Sequence, residues 1–443
     1  MEKEQIKTAK FGGSSLADAA HFRKVKEIVE ANPARRYIVP SAPGRRSPED
    51  EKVTDLLYRC YQEASSGADY HNSMEKIRKR YQYIIDELSL NVSLDAQFEK
   101  ITQAFLVCAG EEYAASRGEY LNAILLAAFL GYEFVDAANV IRFNKDGSFD
   151  SETTNELLAT YLDKIERAVI PGFYGAMKNG TVVTFSRGGS DITGSIVARA
   201  VQADLYENWT DVSGFLVADQ RIVENPAPLE TITYTEPPEP SYMGASVLPA
   251  DALFPVRKAG IPINIRNTNR PEDPGTMIVE NTSKRPHYTI TGVAGKKGFC
   301  AMNIDKAMMN SEIGFGRKVL EVFEKNGISF EHMPSGIDTM SVLVHQDEFQ
   351  EKEQSVLSGI QRSVHPNVVT LESDLAVIAV VGRGMKAMRG TAARIFAALA
   401  HAKINVKMID QGSSELNIII GVTNDDFEPA IRAIYDIFVK TEL

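Results

Sequence analysis

Two stretches of this chain carry residue types suited to gripping an anion. The first is Ser186-Arg187-Gly188-Gly189-Ser190-Asp191, which follows the short apolar run 181–185 and precedes an expected helix over 193–201. Strand, glycine turn and helix in that order let backbone N–H groups approach a phosphate or carboxylate closely, and the helix N-terminus adds partial positive charge. Arg187 can fork onto a carboxylate or phosphate, and Asp191 can hold a lysine or a magnesium shell. Taken alone, the stretch reads equally well as a tight turn with a solvated arginine and an aspartate cap. The second stretch, Lys10-Phe11-Gly12-Gly13-Ser14-Ser15, is another glycine turn before an expected helix, and it tips the balance toward an anion site.

The elements that must position these residues alternate along the chain. Short apolar strands are expected over 6–11, 37–39, 133–136, 168–170, 205–209 and 261–265, with helices between them. Ser15 is a candidate helix cap with Asp18 three residues on, and the helix that follows places Phe22, Val25, Ile28 and Val29 on one face. Alternation of this kind implies a mainly parallel sheet covered by helices on both faces, with ligands at the carboxyl ends of the strands. Lys10, Ser41, Arg187 and Asp211 all fall at or just beyond such ends, and Asp191 lies in the turn beyond one. Arg117-Gly118-Glu119-Tyr120 leads into an apolar helix over 121–130 that Gly131 can stop. Glu119 is thereby expected near a helix start, where a carboxylate is favoured for structural reasons alone. Lys178-Asn179-Gly180 reads as a hairpin turn. The proline-rich stretch 224–241 reads as a surface connection, and residues 267–275 and 281–286 mark a domain boundary.

Length and composition bound the function. A chain of 443 residues implies two or three domains. Its 44% hydrophobic and 24% charged residues are ordinary for a globular protein. A net charge of −11 argues against nucleic acid as a partner, and no apolar run reaches membrane-spanning length. The polar N-terminus does not read as a signal peptide. Cys60, Cys108 and Cys300 are scattered, with no metal-binding spacing, so a reducing, cytoplasmic setting is expected.

The last third is a repeat. A helix over 316–325 and another over 391–401 are each followed by a short apolar segment (326–330 and 402–406), a loop, and a strand (341–344 and 416–422). A further helix then follows, near 348–357 and 427–438. This is a β-α-β-β-α-β plan used twice, without a catalytic constellation, as in paired modules that bind an effector or another subunit.

These motifs together identify a resemblance that covers essentially the whole chain. With Lys10 to Ser15, Gly118-Glu119, Arg187 to Asp191, Trp209-Thr210-Asp211-Val212 and, less closely, Met243-Gly244-Ala245, the first part resembles the aspartokinases of the amino-acid-kinase family. The tail, including Gln411-Gly412-Ser413-Ser414-Glu415-Leu416-Asn417, looks like their tandem ACT modules. The resemblance implies an amino-acid-kinase fold over 1–284, ferredoxin-like ACT modules over 285–370 and 371–443, and ATP-dependent phosphorylation of the side-chain carboxylate of L-aspartate under feedback control.

It also implies roles. Lys10 and Asp191 would be catalytic, the lysine neutralising the transferring phosphoryl group and the aspartate orienting it. Arg187 would grip the substrate α-carboxylate and Glu119 its ammonium, with Ser41, Thr54, Gly188, Gly189 and Ser190 around them. ATP would lie against Lys10, Phe11, Gly12, Gly13, Ser14, Thr210, Asp211, Leu216, Arg221, Ser246 and Val247, and magnesium would ride on its phosphates without a protein metal site. The chain departs from the family pattern at Leu216, where a tyrosine is common, at Ser246, where a lysine is common, and at Pro249-Ala250, where a His-Pro pair is common. An amino-acid effector, lysine favoured over threonine, would meet Met309, Glu312, Gly314, Phe315 and Gly316 on one wall and Phe330, Glu331, Ser335 and Ile337 on the other. Glu331 stands where an aspartate is usual. A homodimer or dimer of dimers through the ACT modules is expected. Two other classes stay open: a sister kinase for another carboxylate or a nucleotide, of which Glu119 with Arg187 favours an amino-acid substrate, and a silent amino-acid sensor, which Lys10 with Asp191 argues against.

Overall fold

The computed structural model describes residues 5–185, 188–234, 250–282, 287–412 and 414–441. The chain divides into two compact units. Among the described residues, the first comprises 5–185, 188–215, 229–234 and 250–282, and the second 216–228, 287–412 and 414–441.

The first unit is built on an eight-stranded sheet. Across its width the strands run Glu133–Phe134, Ala168–Val169, Arg35–Pro40, Lys7–Phe11, Leu205–Thr210, Ile263–Asn267, Thr276–Val279 and Thr231–Thr233. Every neighbouring pair is parallel except Ile263–Asn267 with Thr276–Val279. The central strands are buried on both faces, as parallel strands under helices must be. The strand Thr231–Thr233 lies inside the stretch that composition marks as a surface connection, and pairing with Met277–Val279 makes it a sheet edge instead.

Helix Ala19–Glu30 buries Phe22, Val25, Ile28 and Val29. Its cap is Asp18 rather than Ser15, because Gly13–Leu16 forms a separate 3-10 turn and the Asp18 carboxylate accepts from the His21 backbone N–H. Helix Glu111–Leu130 is buried on nearly all sides over 114–127. Fully burying each leucine of its core face (Leu121, Leu125, Leu126) contributes roughly 1.5–3 kcal/mol. Gly131, at φ 71°, ends it in the left-handed region that favours glycine. The hairpin expected at Lys178-Asn179-Gly180 joins the antiparallel strands Tyr174–Met177 and Val182–Thr184.

The second unit carries a five-stranded antiparallel sheet in the order Thr339–His345, Gly292–Asp305, Val368–Val381, Asn417–Thr423, Met408–Asp410. Two strands of 14 residues, Gly292–Asp305 and Val368–Val381, run through both halves. The far half of the first, Phe299 to Asp305, pairs with Thr339–His345 and with 368–375. Its near half, Gly292 to Lys297, pairs with 376–381. Helices Phe315–Lys325 and Glu353–Val364 close a core around Met302, Val319, Phe323 and Ile360. Helices Thr391–His401 and Phe427–Tyr435 cover the other half. The short apolar segments 326–330 and 402–406 are not strands, whereas the strands expected over 341–344 and 416–422 form. The second segment is followed, after Lys407, by the three-residue strand Met408–Asp410.

Candidate active site

The centre of the site is set by the two faces of one strand. Leu205–Thr210 is the fifth strand across the sheet, flanked by Lys7–Phe11 and Ile263–Asn267. Side chains alternate faces along a strand. Glu207 and Trp209 turn to one side, where the Arg35 Nε–Glu207 Oε2 pair (2.6 Å) and the Trp209 Nε1–Glu207 Oε2 bond (2.9 Å) close a buried network. Burial alone pushes the Glu207 carboxyl up, but its hydrogen bonds and charge contacts to Arg35, Lys7 and Trp209 outweigh that and leave it below the ordinary value. Tyr206 and Asn208 turn to the other side, toward helix Gly189–Ala200.

Lys10 and Asp191 meet there. Lys10 sits one residue from the end of its strand and Asp191 in the first turn of the helix, and their Nζ–Oδ1 separation is 2.7 Å with both side chains nearly buried. Tyr206 donates its hydroxyl to the Asp191 carbonyl at 3.0 Å. Asn208 donates Nδ2 to Asp191 Oδ1 at 2.8 Å and accepts from Lys10 Nζ at 3.3 Å.

Of the two glycines around the ammonium, Gly13 is required by close contact and Gly12 lies at ordinary contact distance. A Cβ on Gly12 would lie 3.6 Å from Lys10 Nζ, and the Gly12 N–H is tied to the Trp209 carbonyl at 3.0 Å. A Cβ on Gly13 would come within 2.9 Å of the Ala42 carbonyl oxygen, where the Ser41–Gly44 turn crosses and the Gly44 N–H bonds to the Gly13 carbonyl at 2.8 Å. Buried Arg80 ties that turn down. Its guanidinium donates to the Ala17 and Gly44 carbonyls and pairs with Asp50. Phe11 is buried and stacks on Trp209, and Ser14 is exposed beyond the glycines.

Glu119 faces the same Ser41-Ala42 turn. It lies in the middle of helix Glu111–Leu130, eight residues past the start, so the helix-start reading of this carboxylate is overturned. Gly118 is what admits the turn, since a Cβ there would stand 2.8 Å from Ala42 Cβ. Burial pushes the Glu119 carboxyl up to about 7, against the lowering effect of the Ala42 backbone N–H. Its Oε2 is buried and finds no hydrogen-bond partner. A buried carboxylate with a free oxygen is an acceptor waiting for a cationic donor. Asn122, one turn on, donates to the Ser41 carbonyl at 2.7 Å. Thr54 is half-buried near the start of helix Val53–Ser65.

Gly188 is the left-handed cap (φ 76°) of helix Gly189–Ala200. A Cβ on Gly189 would press on Phe173 at 2.6 Å, and Ser190 is buried against Gly172. Phe173 itself has φ 81°, a strained conformation for a bulky residue, held by its N–H to Thr193 Oγ1 at 3.0 Å. Thr210 ends the strand, half-buried, and donates its hydroxyl at 3.1 Å to the carboxylate of Asp211, the exposed residue that follows. Arg187, Ser246 and Val247 lie outside the described residues, as does the Pro249 departure. Leu216 and Arg221 belong to the second unit, where Leu216 bridges to Pro228 and Arg221 pairs with Asp219 at 2.6 Å. The sequence reading missed Asn208, Tyr206, Phe173 and Arg80. For Asn208 the signal was present: two adjacent polar residues, Glu207 and Asn208, inside a strand buried on both sides.

In the second unit, Met309 and Phe315 are core residues. Glu312 is held by Lys306 (2.5 Å) and Lys318 (2.6 Å), and those bonds bring its carboxyl down to about 2. Gly314, at φ 81°, caps helix Phe315–Lys325, which contains Gly316. Phe330 and Ile337 are exposed, Ser335 is exposed and bridges to Met340, and Glu331 pairs with His345 at 3.2 Å.

Among the described residues, no group of three or more His, Cys, Asp or Glu is placed to hold a metal, and no helix is long and apolar enough to cross a membrane.

Residues 6–267 match the amino acid kinase family and residues 378–438 the ACT domain. Aspartokinase 3 of Bacillus subtilis (strain 168) is 40% identical, with 98% of each chain covered. The crystal structure of Clostridium acetobutylicum aspartate kinase superposes with a TM-score of 0.92 at 48% identity, covering 98% of this chain and 100% of that one. E. coli aspartokinase III, in its complex with aspartate and ADP, shares the fold at TM-score 0.75 and 23% identity over 98% and 99% of the two chains. By these matches the chain belongs to the amino acid kinase family and, within it, to the aspartokinases.

Proposed function

We propose that the protein transfers the γ-phosphoryl group of ATP to the side-chain carboxylate of L-aspartate, giving 4-phospho-L-aspartate and ADP, and that an amino acid restrains it through the ACT unit. The observation that carries the assignment of roles is the buried Lys10–Asp191 pair above the Gly12 turn, at the carboxyl edge of a parallel sheet. A carboxylate oxygen of aspartate attacks the γ-phosphorus while the bond to the β,γ-bridging oxygen breaks. The attacking carboxylate is already ionised at neutral pH, so no base is needed. What the reaction needs is positive charge and N–H donors where two anions meet. Lys10 supplies the charge, Asp191 orients it, and the Gly13 N–H, just beyond the Gly12 N–H that the Trp209 carbonyl holds, offers a donor. Magnesium enters with ATP as part of the substrate.

Glu119 takes the substrate ammonium, which its unpartnered buried oxygen suits, and Arg187 takes the α-carboxylate. Ser41, Thr54 and Ser190 border the same substrate, while Thr210 and Asp211 stand at the nucleotide end. For control we assign L-lysine to the loops around Met309 and Phe330. The exposed apolar side chains Met308, Ile313, Phe330 and Ile337 are the surface through which two copies associate. The test is turnover of ATP by the full chain with L-aspartate, L-glutamate or no acceptor, followed by lysine and threonine titrations. Turnover with aspartate alone is expected. A preference for glutamate points to a sister kinase, and silence with every acceptor points to a sensor.

A further inference from the structure

We infer that Asn208 is a positioning residue for phosphoryl transfer, one that sets where the Lys10 ammonium points. The inference rests on the role of Lys10 proposed above. Asn208 is fully buried in the middle of the central strand and is the register partner of Lys10. Its amide makes both contacts that the geometry allows. Oδ1 accepts from Lys10 Nζ at 3.3 Å, and Nδ2 donates to Asp191 Oδ1 at 2.8 Å. With the 2.7 Å ion pair, the three side chains form a closed triangle.

The triangle does two things to the lysine. An ammonium has three N–H bonds, and here one is directed at Asp191 and one at Asn208. The third is then fixed in direction, with Nζ standing 3.6 Å from where a Gly12 Cβ would be, over the Gly12-Gly13 turn. Asn208 also satisfies part of Asp191 Oδ1, so the carboxylate holds the ammonium without claiming it entirely. Preorganised charge of this kind costs no reorganisation at the moment of reaction. A carbon side chain at 208 would leave Lys10 to collapse onto Asp191 and would strand buried polar atoms. Tyr206, on the same face, holds Asp191 only by its backbone carbonyl and cannot replace the amide.

Two variants of the full chain test this. Asn208→Leu keeps the branching and the number of heavy atoms and removes both contacts. We expect kcat to fall roughly 10- to 100-fold, in line with the loss of one or two buried hydrogen bonds to charged groups, with KM for aspartate and ATP within about threefold. Asn208→Asp gives a signature that a packing role cannot. While protonated, the introduced carboxyl can donate to Asp191 and accept from Lys10 as the amide does. Once ionised it sets a second negative charge against Asp191 and traps the ammonium. Its kcat should therefore be near the parent's at low pH and fall as pH rises through the new group's titration, a limb absent from the parent. The idea is overturned if Asn208→Leu, folded by its unfolding transition, keeps kcat within twofold of the parent. A loss confined to KM overturns it too, as does an Asn208→Asp pH profile that parallels the parent's. If Asn208→Leu does not fold, the Asn208→Asp profile decides alone. Lys10→Ala separates the two levels. If it abolishes turnover while the Asn208 variants behave as the parent, only Asn208 is misassigned. If Lys10→Ala also turns over normally, the proposed chemistry itself fails.

Discussion

The two units treat charge in opposite ways. In the kinase unit Lys10, Arg35, Arg80, Arg117, Glu119, Asp191 and Glu207 are all buried. Among the described residues of the ACT unit no lysine, arginine, aspartate or glutamate is buried, and the buried polar side chains are the threonines Thr291 and Thr391. Both units expose large apolar side chains, Val107 and Phe254 in the first and Met308 and Ile313 in the second, so the difference lies in buried charge. Burying charge is costly unless each group is paired, and a fold accepts that cost where charge must act from a fixed, dry position. Phosphoryl transfer between two anions is such a case. The ion pairs of the ACT unit, such as Glu312 with Lys306 and Lys318, lie near the surface instead, where they contribute little.

The sharpest way to break this contrast is to remove the central cation. Lys10→Ala should lower kcat by roughly a hundredfold to a thousandfold, the usual loss when one preorganised donor to a developing charge is deleted. KM for aspartate should move much less, because the charge acts mainly in the transition state. Steady-state kinetics reads both, and near-normal kcat with a raised KM would make Lys10 a binding residue only.

The next effect belongs to Glu119. Glu119→Gln should raise KM for aspartate by about 2–5 kcal/mol in free energy, roughly thirtyfold or more, with ATP affinity nearly unchanged. The parent enzyme should show the same group titrating. The ligand-free carboxyl titrates near 7, so at pH 6 about one-tenth of it is ionised and KM for aspartate should be about tenfold higher than at pH 8. Stability runs the other way. The ordinary carboxyl releases its proton near 4.5 and the folded one near 7, so between these values the folded chain binds a proton that the unfolded chain lacks. Stability therefore falls as pH rises through that window, and the penalty is complete above it. Glu119→Gln removes a penalty of about 3 kcal/mol at pH 8 and nothing at pH 4, which urea unfolding at the two pH values can measure. A variant that binds aspartate normally, or that gains no stability at pH 8, would place Glu119 outside the substrate site.

The same contrast explains what could be read in the sequence. Lys10, Gly12, Gly13, Gly188, Gly189 and Asp191 were legible because each is fixed by its own neighbours: strand, turn, helix. The hairpin at Asn179-Gly180 and the helix stop at Gly131 were legible for the same reason. Glu119 was placed wrongly within its helix because Arg117-Gly118 looks like a break. Gly118 is there for close approach to Ala42, a contact more than 70 residues away in sequence. Asn208, Phe173 and Arg80 act through partners brought together by the sheet and its crossovers, which no local pattern encodes. In the ACT unit the repeat was visible from its helices. The sharing of two long strands by both halves was not, because it rests on which half of Gly292–Asp305 pairs with which half of Val368–Val381.

The smallest predicted effect lies in the unit without buried charge. Glu331 pairs with His345 at 3.2 Å, both side chains being partly exposed, and His345 stacks on Phe299 with ring centroids 4.6 Å apart. The carboxylate is therefore held in place by a rigid neighbour yet stays open to solvent, as a ligand for an incoming ammonium should be. Lysine needs only to bind the inhibited arrangement better than the active one, and such couplings amount to about 1–3 kcal/mol. Glu331→Ala should thus raise the lysine concentration needed for inhibition by roughly 5- to 100-fold and leave uninhibited turnover within about twofold. Calorimetry on the same variant should show lysine binding weakened to the same degree, since the coupling is reciprocal. Weakened inhibition with undiminished lysine binding would make Glu331 part of the transmission rather than the pocket. Full sensitivity in both Glu331→Ala and Ser335→Ala would move the effector away from these loops. Absence of lysine binding by the parent chain would end the lysine assignment and bring threonine forward.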